Sequence, residues 1–303
     1  MSVAKKPIPP VLLEWAQSVV GPVHLVRDVS HGRVNSRVWQ LTCATGIVFA
    51  KLAPSPMSFG RDTRALREVV PGLEPGTAPL LLAADPLQQA LLLSPVSGRT
   101  VKSLSLTHAE QRMLHRQAGS WLRRFHGGAG EVSAQDHADA AAEVARAAAG
   151  GEKHLDRAGN LIGPKDRWTV RWHAAALGRL GPLPAGYVHG DFQERNWLLD
   201  TGPAARVFGA VDLERARPHA AVADLVLLAC GSWVGRPDLQ EAFFEGYGRA
   251  LSAEEQWALR CLSVLDAASA ISWGVPNGDG EIGDAEIVER GRATLARLEV
   301  QAA

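Results

Sequence analysis

The chain has 303 residues, 46% of them hydrophobic and 21% charged, and its 32 Lys+Arg balance its 32 Asp+Glu. This composition is typical of a globular protein with a sizeable core. Cys43, Cys230 and Cys261 stand in no paired spacing, which excludes a zinc motif and a disulfide framework. No basic stripe, membrane-length apolar run or secretory signal stands out, so we expect a cytoplasmic protein with neither nucleic-acid nor membrane partners.

The first part of the chain predicts a small antiparallel sheet. A short amphipathic helix is expected over residues 11–19, followed by the strands VHLVRDV, RVWQLTC and IVFAKLA. The loop 30–36 joins the first two strands, and the turn Ala44-Thr45-Gly46 joins the second and third. RDTRALREVV then predicts a short helix, and APLLLAAD and ALLLSPV predict two more strands.

From about residue 104 the pattern becomes helical. One helix is expected from an N-cap at Thr107 to Gly127-Gly128, and an Ala-rich one is expected to end near Gly150-Gly151. DRWTVRWHAAALGRL predicts a third helix, and most of the chain from Ala221 onward is also helical. Trp121, Trp168 and Trp172 lie at helical spacing among apolar residues, which favours packing in a core.

Polar side chains interrupt the hydrophobic stretch YVHGDFQERNWLLD. Asp191 can accept a proton from a hydroxyl, and Asn196 offers a neutral oxygen ligand suited to Mg²⁺ bound with nucleotide phosphates. GAVDLE places Asp212 after a short apolar strand, and a hairpin of that length would return Asp212 to Asn196. A base beside two metal ligands is the arrangement that phosphoryl transfer needs.

The predicted sheet supplies a cation for this chemistry. Lys51 lies inside the apolar strand IVFAKLA, where a lysine either points to water from a sheet edge or acts on a phosphate. Glu68 on the following helix can pair with Lys51 and hold it in place. The Gly32–Ser36 loop, which includes Asn35, can cover the phosphates with its backbone N–H groups.

HGDFQERN, followed by VDLE and ADL, resembles the signature of the aminoglycoside phosphotransferase family. The resemblance covers nearly the whole chain and implies an α+β, two-lobed protein-kinase-like fold. The small antiparallel-sheet lobe would span residues 1–97 and bind the nucleotide. The mainly helical lobe would span residues 98–303 and hold the catalytic loop and acceptor site, with a hinge near 94–98.

The resemblance also assigns roles to single residues. Asp191 would be the catalytic base, Asn196 and Asp212 would bind Mg²⁺, and Lys51, paired with Glu68, would contact the phosphates of ATP. Further positions are implied with supporting roles: the hinge residues Ser94 and Val96 would hold the adenine, and His189 and Asp224 would support the catalytic loop. The sequence departs from the family pattern at two places. The loop SHGRVNSRV has a single glycine, and Leu213 replaces a more usual aromatic residue.

The implied reaction is ATP-dependent phosphorylation of a hydroxyl on a small, cationic molecule, with an antibiotic as the first candidate acceptor. A metabolic kinase for choline, homoserine or a thiosugar stays open, as do an inactive nucleotide-binding protein, GTP as donor, and a monomer or a homodimer. Residues 1–180 carry 22 Lys+Arg against 14 Asp+Glu, and residues 181–303 carry 10 against 18. Asp279, Glu281 and Asp284 lie in an acidic run that is either a solvated face or a site for the cationic acceptor.

Overall fold

The computed structural model describes residues 6–30, 37–128, 130, 132–202, 206–276 and 285–300, and it divides into two compact units. The first unit comprises Met1–Leu106, Gly128–Gly130 and His189–Arg217, and the second comprises Thr107–Gly127, Glu131–Val188 and Pro218–Ala303. The division differs from the single boundary expected near residue 98. The segment that contains HGDFQERN and VDLE belongs with the sheet-bearing unit.

The large sheet of the first unit is antiparallel, with the strand order β1-β2-β3-β5-β4. Its strands are β1 (Val23–Asp28), β2 (Val38–Cys43), β3 (Gly46–Leu52), β4 (Leu81–Asp85) and β5 (Ala90–Leu93). Lys51 on β3 pairs with Val38 on one side and Leu91 on the other. The predicted sheet is confirmed, and Lys51 lies on a central strand rather than at an edge.

The core of this sheet is covered by helix α1 (Pro10–Val20). Leu12 and Ala16 of the helix are buried against inward-facing sheet residues such as Trp39 and Leu41. The side chain of Trp39 also donates from Nε1 to the carbonyl of Lys6 at 2.9 Å, which satisfies the polar atom of a buried indole. Apolar burial on alternate strand positions therefore decides which face of β3 is turned inward.

Helix α2 (Pro56–Glu68) begins earlier than the sequence pattern indicated. Ser55 caps it by accepting a hydrogen bond from the backbone N–H of Ser58, and Pro56 occupies the first helical position. Packing buries the face of the helix that carries Asp62 and Leu66, and Glu68 lies in its last turn.

A second sheet in the first unit holds the hairpin that the sequence predicted. Strand β6 (Arg99–Thr100) pairs with β8 (Trp197–Asp200), which pairs antiparallel with β9 (Val207–Ala210). Trp197 lies opposite Ala210, and the N–H of Val211 donates to the carbonyl of Asn196 at 3.0 Å. The hairpin therefore brings Asn196 and the residue before Asp212 together, as expected.

The second unit is mainly helical, with a two-stranded sheet of β7 (Ala185–Val188) and β10 (Arg217–Ala220). Its helices are α3 (His108–Gly127), α4 (Ala134–Ala158), α5 (Pro164–Leu177), α6 (Val226–Ala229), α7 (Pro237–Tyr247), α8 (Ala253–Ser272) and α9 (Ala285–Val300). The predicted end of the Ala-rich helix near Gly150-Gly151 is wrong, because α4 continues to Ala158. Gly151 is buried beside Leu265 of α8, so a small residue is needed where these helices pack.

The expected burial of three tryptophans holds for only one of them. Trp121 is 5% exposed, whereas Trp168 and Trp172 of α5 are 64% and 42% exposed and stack on one another at the surface. Within the described ranges, no helix is both long and apolar enough to cross a membrane.

Candidate active site

The loop from His189 to Asn196 is held in a backbone conformation that glycine makes possible. Gly190 has a φ of 77°, and a Cβ at this position would lie 2.6 Å from the carbonyl oxygen of Arg215. A side chain would therefore be strained and would also collide with the segment that follows Asp212. The close approach joins the HGD and VDLE segments within one unit.

His189 connects the same two segments through its ring. Its Nδ1 accepts from the N–H of Asp191 at 3.3 Å, and its Nε2 donates to the carbonyl of Val211 at 3.2 Å. Both ring nitrogens are thus used by the backbone at Asp191 and next to Asp212. This geometry favours the predicted supporting role of His189 over a reactive one.

The carboxylate of Asp191 is buried and accepts several hydrogen bonds from its own loop. Gln193 donates to Oδ1, and Arg195 donates from Nη2 to Oδ2 at 2.6 Å. Asn196 donates from Nδ2 to Oδ2 at 3.1 Å and to the Asp191 carbonyl at 2.9 Å. These donors fix the orientation of the carboxylate, and they also place Asp191 and Asn196 in direct contact.

Asp212 adopts a left-handed backbone conformation, with a φ of 74°. This region is uncommon for a residue with a Cβ and is concentrated at functional sites. The side chain of Asp212 is 32% exposed, and its Oδ1 accepts a hydrogen bond from Lys51 Nζ at 2.8 Å. The strained backbone therefore directs a carboxylate toward the buried Lys51 on β3.

Three carboxylates surround the ammonium group of Lys51. Its Nζ lies 2.8 Å from Asp62 Oδ2, 2.8 Å from Asp212 Oδ1 and 3.3 Å from Glu214 Oε2. Burial alone would lower the pKa of Lys51, but the three carboxylates outweigh burial and raise this pKa well above its usual value. Lys51 is therefore a fixed positive charge inside an excess of negative charge.

Asp62, not Glu68, is the helical partner of Lys51, and the expected Lys51–Glu68 pair is wrong. Glu68 instead accepts from Arg64 at 2.7 Å in an exposed i,i+4 ion pair. The reason is the phase of α2, which turns Asp62 inward and leaves Glu68 on the solvent side. The pKa of Asp62 is raised by burial, and Lys51 offsets part of this rise.

Glu214 was not predicted as a site residue, although it stands in the quoted VDLE motif. Burial raises the pKa of Glu214, with Lys51 acting in the opposite direction and Asp212 adding to the rise. The spacing of Asp212 and Glu214 was the only available signal, since two carboxylates two residues apart can face the same cation. Arg195 was also missed, because an arginine in a polar loop is ordinary by itself.

The two predicted hinge residues, Ser94 and Val96, follow the end of β5 at Leu93. The N–H of Ser94 donates to the carbonyl of Leu80 at 2.9 Å, and its Oγ accepts from the Leu80 N–H at 2.8 Å. Val96 packs closely on β9, where a Cβ on Gly209 would lie 2.6 Å from its Cγ1. Contact of Ser94 and Val96 with an adenine ring stays a prediction.

Asp224 belongs to a hydrogen-bonded network in the second unit. His126 donates from Nε2 to Asp224 Oδ2 at 3.0 Å, and its Nδ1 lies 2.8 Å from the hydroxyl of Tyr247. All three residues are buried. These contacts favour a structural role for His126, while support of the catalytic loop by Asp224 stays a prediction.

The remaining predicted site residues lie outside the described part of the chain. They are Gly32, Asn35 and Ser36 of the expected phosphate loop, and Asp279, Glu281 and Asp284 of the acidic run.

A comparison of this chain with known protein families agrees with the geometry of the site. In that site a loop carboxylate lies beside an amide, and a second aspartate lies beside a buried lysine. A model described as "Phosphotransferase enzyme family" matches residues 26–262, so the chain belongs to that family and is a kinase-type enzyme. No curated protein matches the chain significantly.

The fold is similar to those of solved antibiotic phosphotransferases. A macrolide 2'-phosphotransferase from Brachybacterium faecium is 17% identical, with a TM-score of 0.62 over 94% of this chain and 96% of that one. Spectinomycin phosphotransferase with ADP and spectinomycin is 15% identical, with a TM-score of 0.61 over 97% and 93%. A thermostable mutant of an aminoglycoside phosphotransferase is 11% identical, with a TM-score of 0.67 over 96% and 99%. The predicted α+β, kinase-like fold class is thereby confirmed.

Proposed function

We propose that this phosphotransferase moves the terminal phosphoryl group of ATP to a hydroxyl of a small molecule. The observation that carries the proposal is the placement of two contacts in one compact unit, Asp191 with Asn196 and Lys51 with Asp212. The first contact orients a base beside an oxygen ligand, and the second places a buried cation beside a carboxylate. Phosphoryl transfer depends mainly on such positioning and on electrostatic stabilisation.

In the proposed reaction Asp191 accepts the hydrogen bond of the acceptor hydroxyl, aligns its oxygen for attack and takes its proton. Lys51 binds phosphate oxygens of the nucleotide while Asp62 holds its ammonium group from the buried side. Since Lys51 also bonds Asp212, binding of the nucleotide exchanges one anionic partner of the lysine for another.

The residues present fit a magnesium ion, which we propose as the partner of the nucleotide. Asp212 and Asn196 offer a carboxylate and an amide oxygen, and the three carboxylates around Lys51 leave surplus negative charge. The described residues contain no group of three His, Cys, Asp or Glu placed to hold a metal by itself. Mg²⁺ commonly completes such a site with phosphates and waters, and when bound it neutralises charge on the transferred phosphoryl group.

For the acceptor, we propose an antibiotic that carries positive charge, in a protein acting in the cytoplasm. The similarity to macrolide and spectinomycin phosphotransferases supports the antibiotic. The excess of acidic over basic residues in 181–303 supports the positive charge, because carboxylates bind ammonium groups by charge-assisted hydrogen bonds.

A substrate panel tests this proposal. The purified chain would be given ATP or GTP with aminoglycosides, macrolides, spectinomycin, choline, homoserine and a thiosugar, and nucleoside diphosphate release would be measured. We expect turnover with an antibiotic and loss of turnover in Asp191→Asn. Turnover only with choline, homoserine or the thiosugar would replace the antibiotic by a metabolic acceptor, and no release with any acceptor would contradict the kinase activity.

A titration of ATP with and without Mg²⁺ tests the metal assignment separately. Asp212→Asn keeps the shape of the side chain and tolerates the left-handed backbone, and it should abolish the gain in ATP affinity that Mg²⁺ gives. Asn196→Ala should reduce the gain less, since an anionic oxygen binds Mg²⁺ more strongly than an amide oxygen. An equal gain in Asp212→Asn and the unchanged chain would contradict the assignment.

A further inference from the structure

Arg195 lies beside the proposed base, Asp191, and most of its N–H donors are not used in that contact. It lies in the short 3-10 turn Glu194–Asn196, and its side chain is 31% exposed. Its Nη2 bonds Asp191 Oδ2 at 2.6 Å, and among the described residues no other partner of its side chain is found. A guanidinium group carries five N–H donors in a rigid plane, so most of its hydrogen-bonding capacity is unused.

The position of the guanidinium group relative to the proposed metal ligand is fixed by a shared acceptor. Asp191 Oδ2 accepts from Arg195 and also from Asn196 Nδ2. Arg195 Nη2 and Asn196 Nδ2 are therefore no more than two hydrogen-bond lengths apart. A phosphoryl group that approaches a hydroxyl held on Asp191, with Asn196 on its other side, must come within reach of the guanidinium group.

The carboxylates around Lys51 suggest that a second cation is needed to bind the phosphates. Lys51 is the ammonium group among three carboxylates, so much of its positive charge is already balanced before any nucleotide binds. Arg195 has one ionic partner among the described residues, and a guanidinium group pairs with phosphate oxygens through two parallel hydrogen bonds.

We propose that Arg195 is a catalytic residue that binds the terminal phosphoryl group of the nucleotide. This inference rests on the proposed function. When ATP binds, the unused N–H donors of the guanidinium group bind the oxygens of the terminal phosphoryl group, and the acceptor hydroxyl then takes the place of Arg195 Nη2 on Asp191. The bond from the acceptor oxygen to phosphorus forms while the bond from phosphorus to the bridging oxygen of ATP breaks. The hydroxyl proton passes to Asp191, and the bridging oxygen keeps the electron pair and leaves as part of ADP.

The affinities of ATP and ADP, measured with Mg²⁺ by calorimetry, test the proposal without an identified acceptor. The variants are Arg195→Gln and Arg195→Lys, with Arg64→Gln as a matched control in the same unit, because Arg64 forms an exposed ion pair with Glu68. Hydrogen bonds to charged groups predict a roughly 10- to 100-fold loss of ATP affinity in Arg195→Gln. ADP, which lacks the terminal phosphoryl group, should bind within about twofold of the unchanged chain, and Arg195→Lys should recover part of the ATP affinity as a point charge.

Other outcomes separate this inference from the proposed function. If ATP and ADP affinities fall equally in Arg195→Gln, or neither falls while its thermal unfolding matches that of the control, Arg195 does not contact the terminal phosphoryl group. In that case Arg195 only positions Asp191, and the proposed kinase activity is unaffected. If the unchanged chain itself fails to bind ATP with Mg²⁺, the proposed function fails first.

Discussion

Two buried carboxylate networks of this protein differ in charge and in access to solvent. In the first unit, Lys51 is shared by three carboxylates, and those of Asp212 and Glu214 are 32% and 27% exposed. In the second unit, the side chains of His126 and Asp224 are 5% and 0% exposed, and Tyr247 completes the chain of hydrogen bonds. The first network is partly open to solvent and has more carboxylates than cations. The second network is closed to solvent, and we call it the closed network.

The comparison favours stability as the role of the closed network and is consistent with the chemical role proposed for the Lys51 network. Removing charges from water is costly unless each is paired, so excess carboxylates are unfavourable for folding alone. The closed network has partners for both ring nitrogens of His126 and needs no ligand. The Lys51 network, with a left-handed Asp212, would become favourable on binding the proposed Mg²⁺ and nucleotide phosphates.

The substitution Asp191→Asn in the first unit is expected to have the largest effect, which is a loss of turnover. The amide cannot take the proton of the acceptor hydroxyl, so kcat should fall on the order of 10²–10⁴-fold. ATP affinity should change much less than kcat, because Asp191 is proposed to contact the acceptor hydroxyl, whereas the unfolding temperature should fall because the amide faces one of the donors to Asp191 with its own N–H groups. Coupled ADP detection and calorimetry measure these quantities, and a variant with half the original kcat would remove Asp191 from the proposed role.

The second effect tests which acidic residue of α2 anchors Lys51. Asp62→Asn should weaken ATP binding by roughly tenfold, since a charged hydrogen bond to the lysine is lost. Its unfolding free energy should be maintained, because the change removes one of the carboxylates that crowd the cation. Glu68→Gln is the matched control and should leave ATP affinity unchanged. A loss of ATP affinity in Glu68→Gln but not in Asp62→Asn would instead support pairing of Lys51 with Glu68.

The third effect concerns the closed network and should appear in stability rather than in kinetics. Tyr247→Phe removes the hydroxyl beside His126 and leaves a buried ring nitrogen without that partner, which costs about 1–3 kcal/mol. Burial raises the pKa of Tyr247 to about 12, so the hydroxyl is protonated throughout the useful range. Denaturant unfolding measures the loss. An unchanged unfolding free energy with a large fall in kcat would assign this network to catalysis instead.

The smallest effect is a pH dependence in the helical unit. His173 is buried, its Nδ1 bonds the carbonyl of Thr169 at 2.9 Å, and burial lowers the pKa of its imidazole below the usual value of 6.5. The unfolded chain therefore takes up the proton first as the pH falls. The stability that neutral His173 contributes is complete above pH 6.5 and is lost as the pH falls through the lowered folded pKa.

Unfolding curves from pH 8 to pH 5 measure this dependence. In His173→Gln the decrease in unfolding free energy below pH 6.5 should become shallower, with His154, whose pKa is also lowered by burial, supplying part of the remainder. Equal slopes in the two chains would show that His173 is not the titrating group.

The sequence by itself determined the parts of the site that depend on short-range spacing. The antiparallel strands, the placement of Lys51 within β3 and the hairpin that returns Asp212 to Asn196 follow from alternating apolar residues and from loop length. These features were predictable because the strand period and the short connection act over a few residues only.

Tertiary structure alone decided which side chains meet. Packing of α2 turned Asp62 toward Lys51 and left Glu68 in an exposed pair with Arg64. Packing carried α4 through Gly150-Gly151 and left Trp168 at the surface, although its spacing resembled that of a core residue. Likewise, the contact of Arg195 with Asp191 depends on how a polar loop closes. Helix phase, helix contacts and loop closure arise from atoms distant in sequence or from local backbone geometry, and residue types and spacing do not specify them.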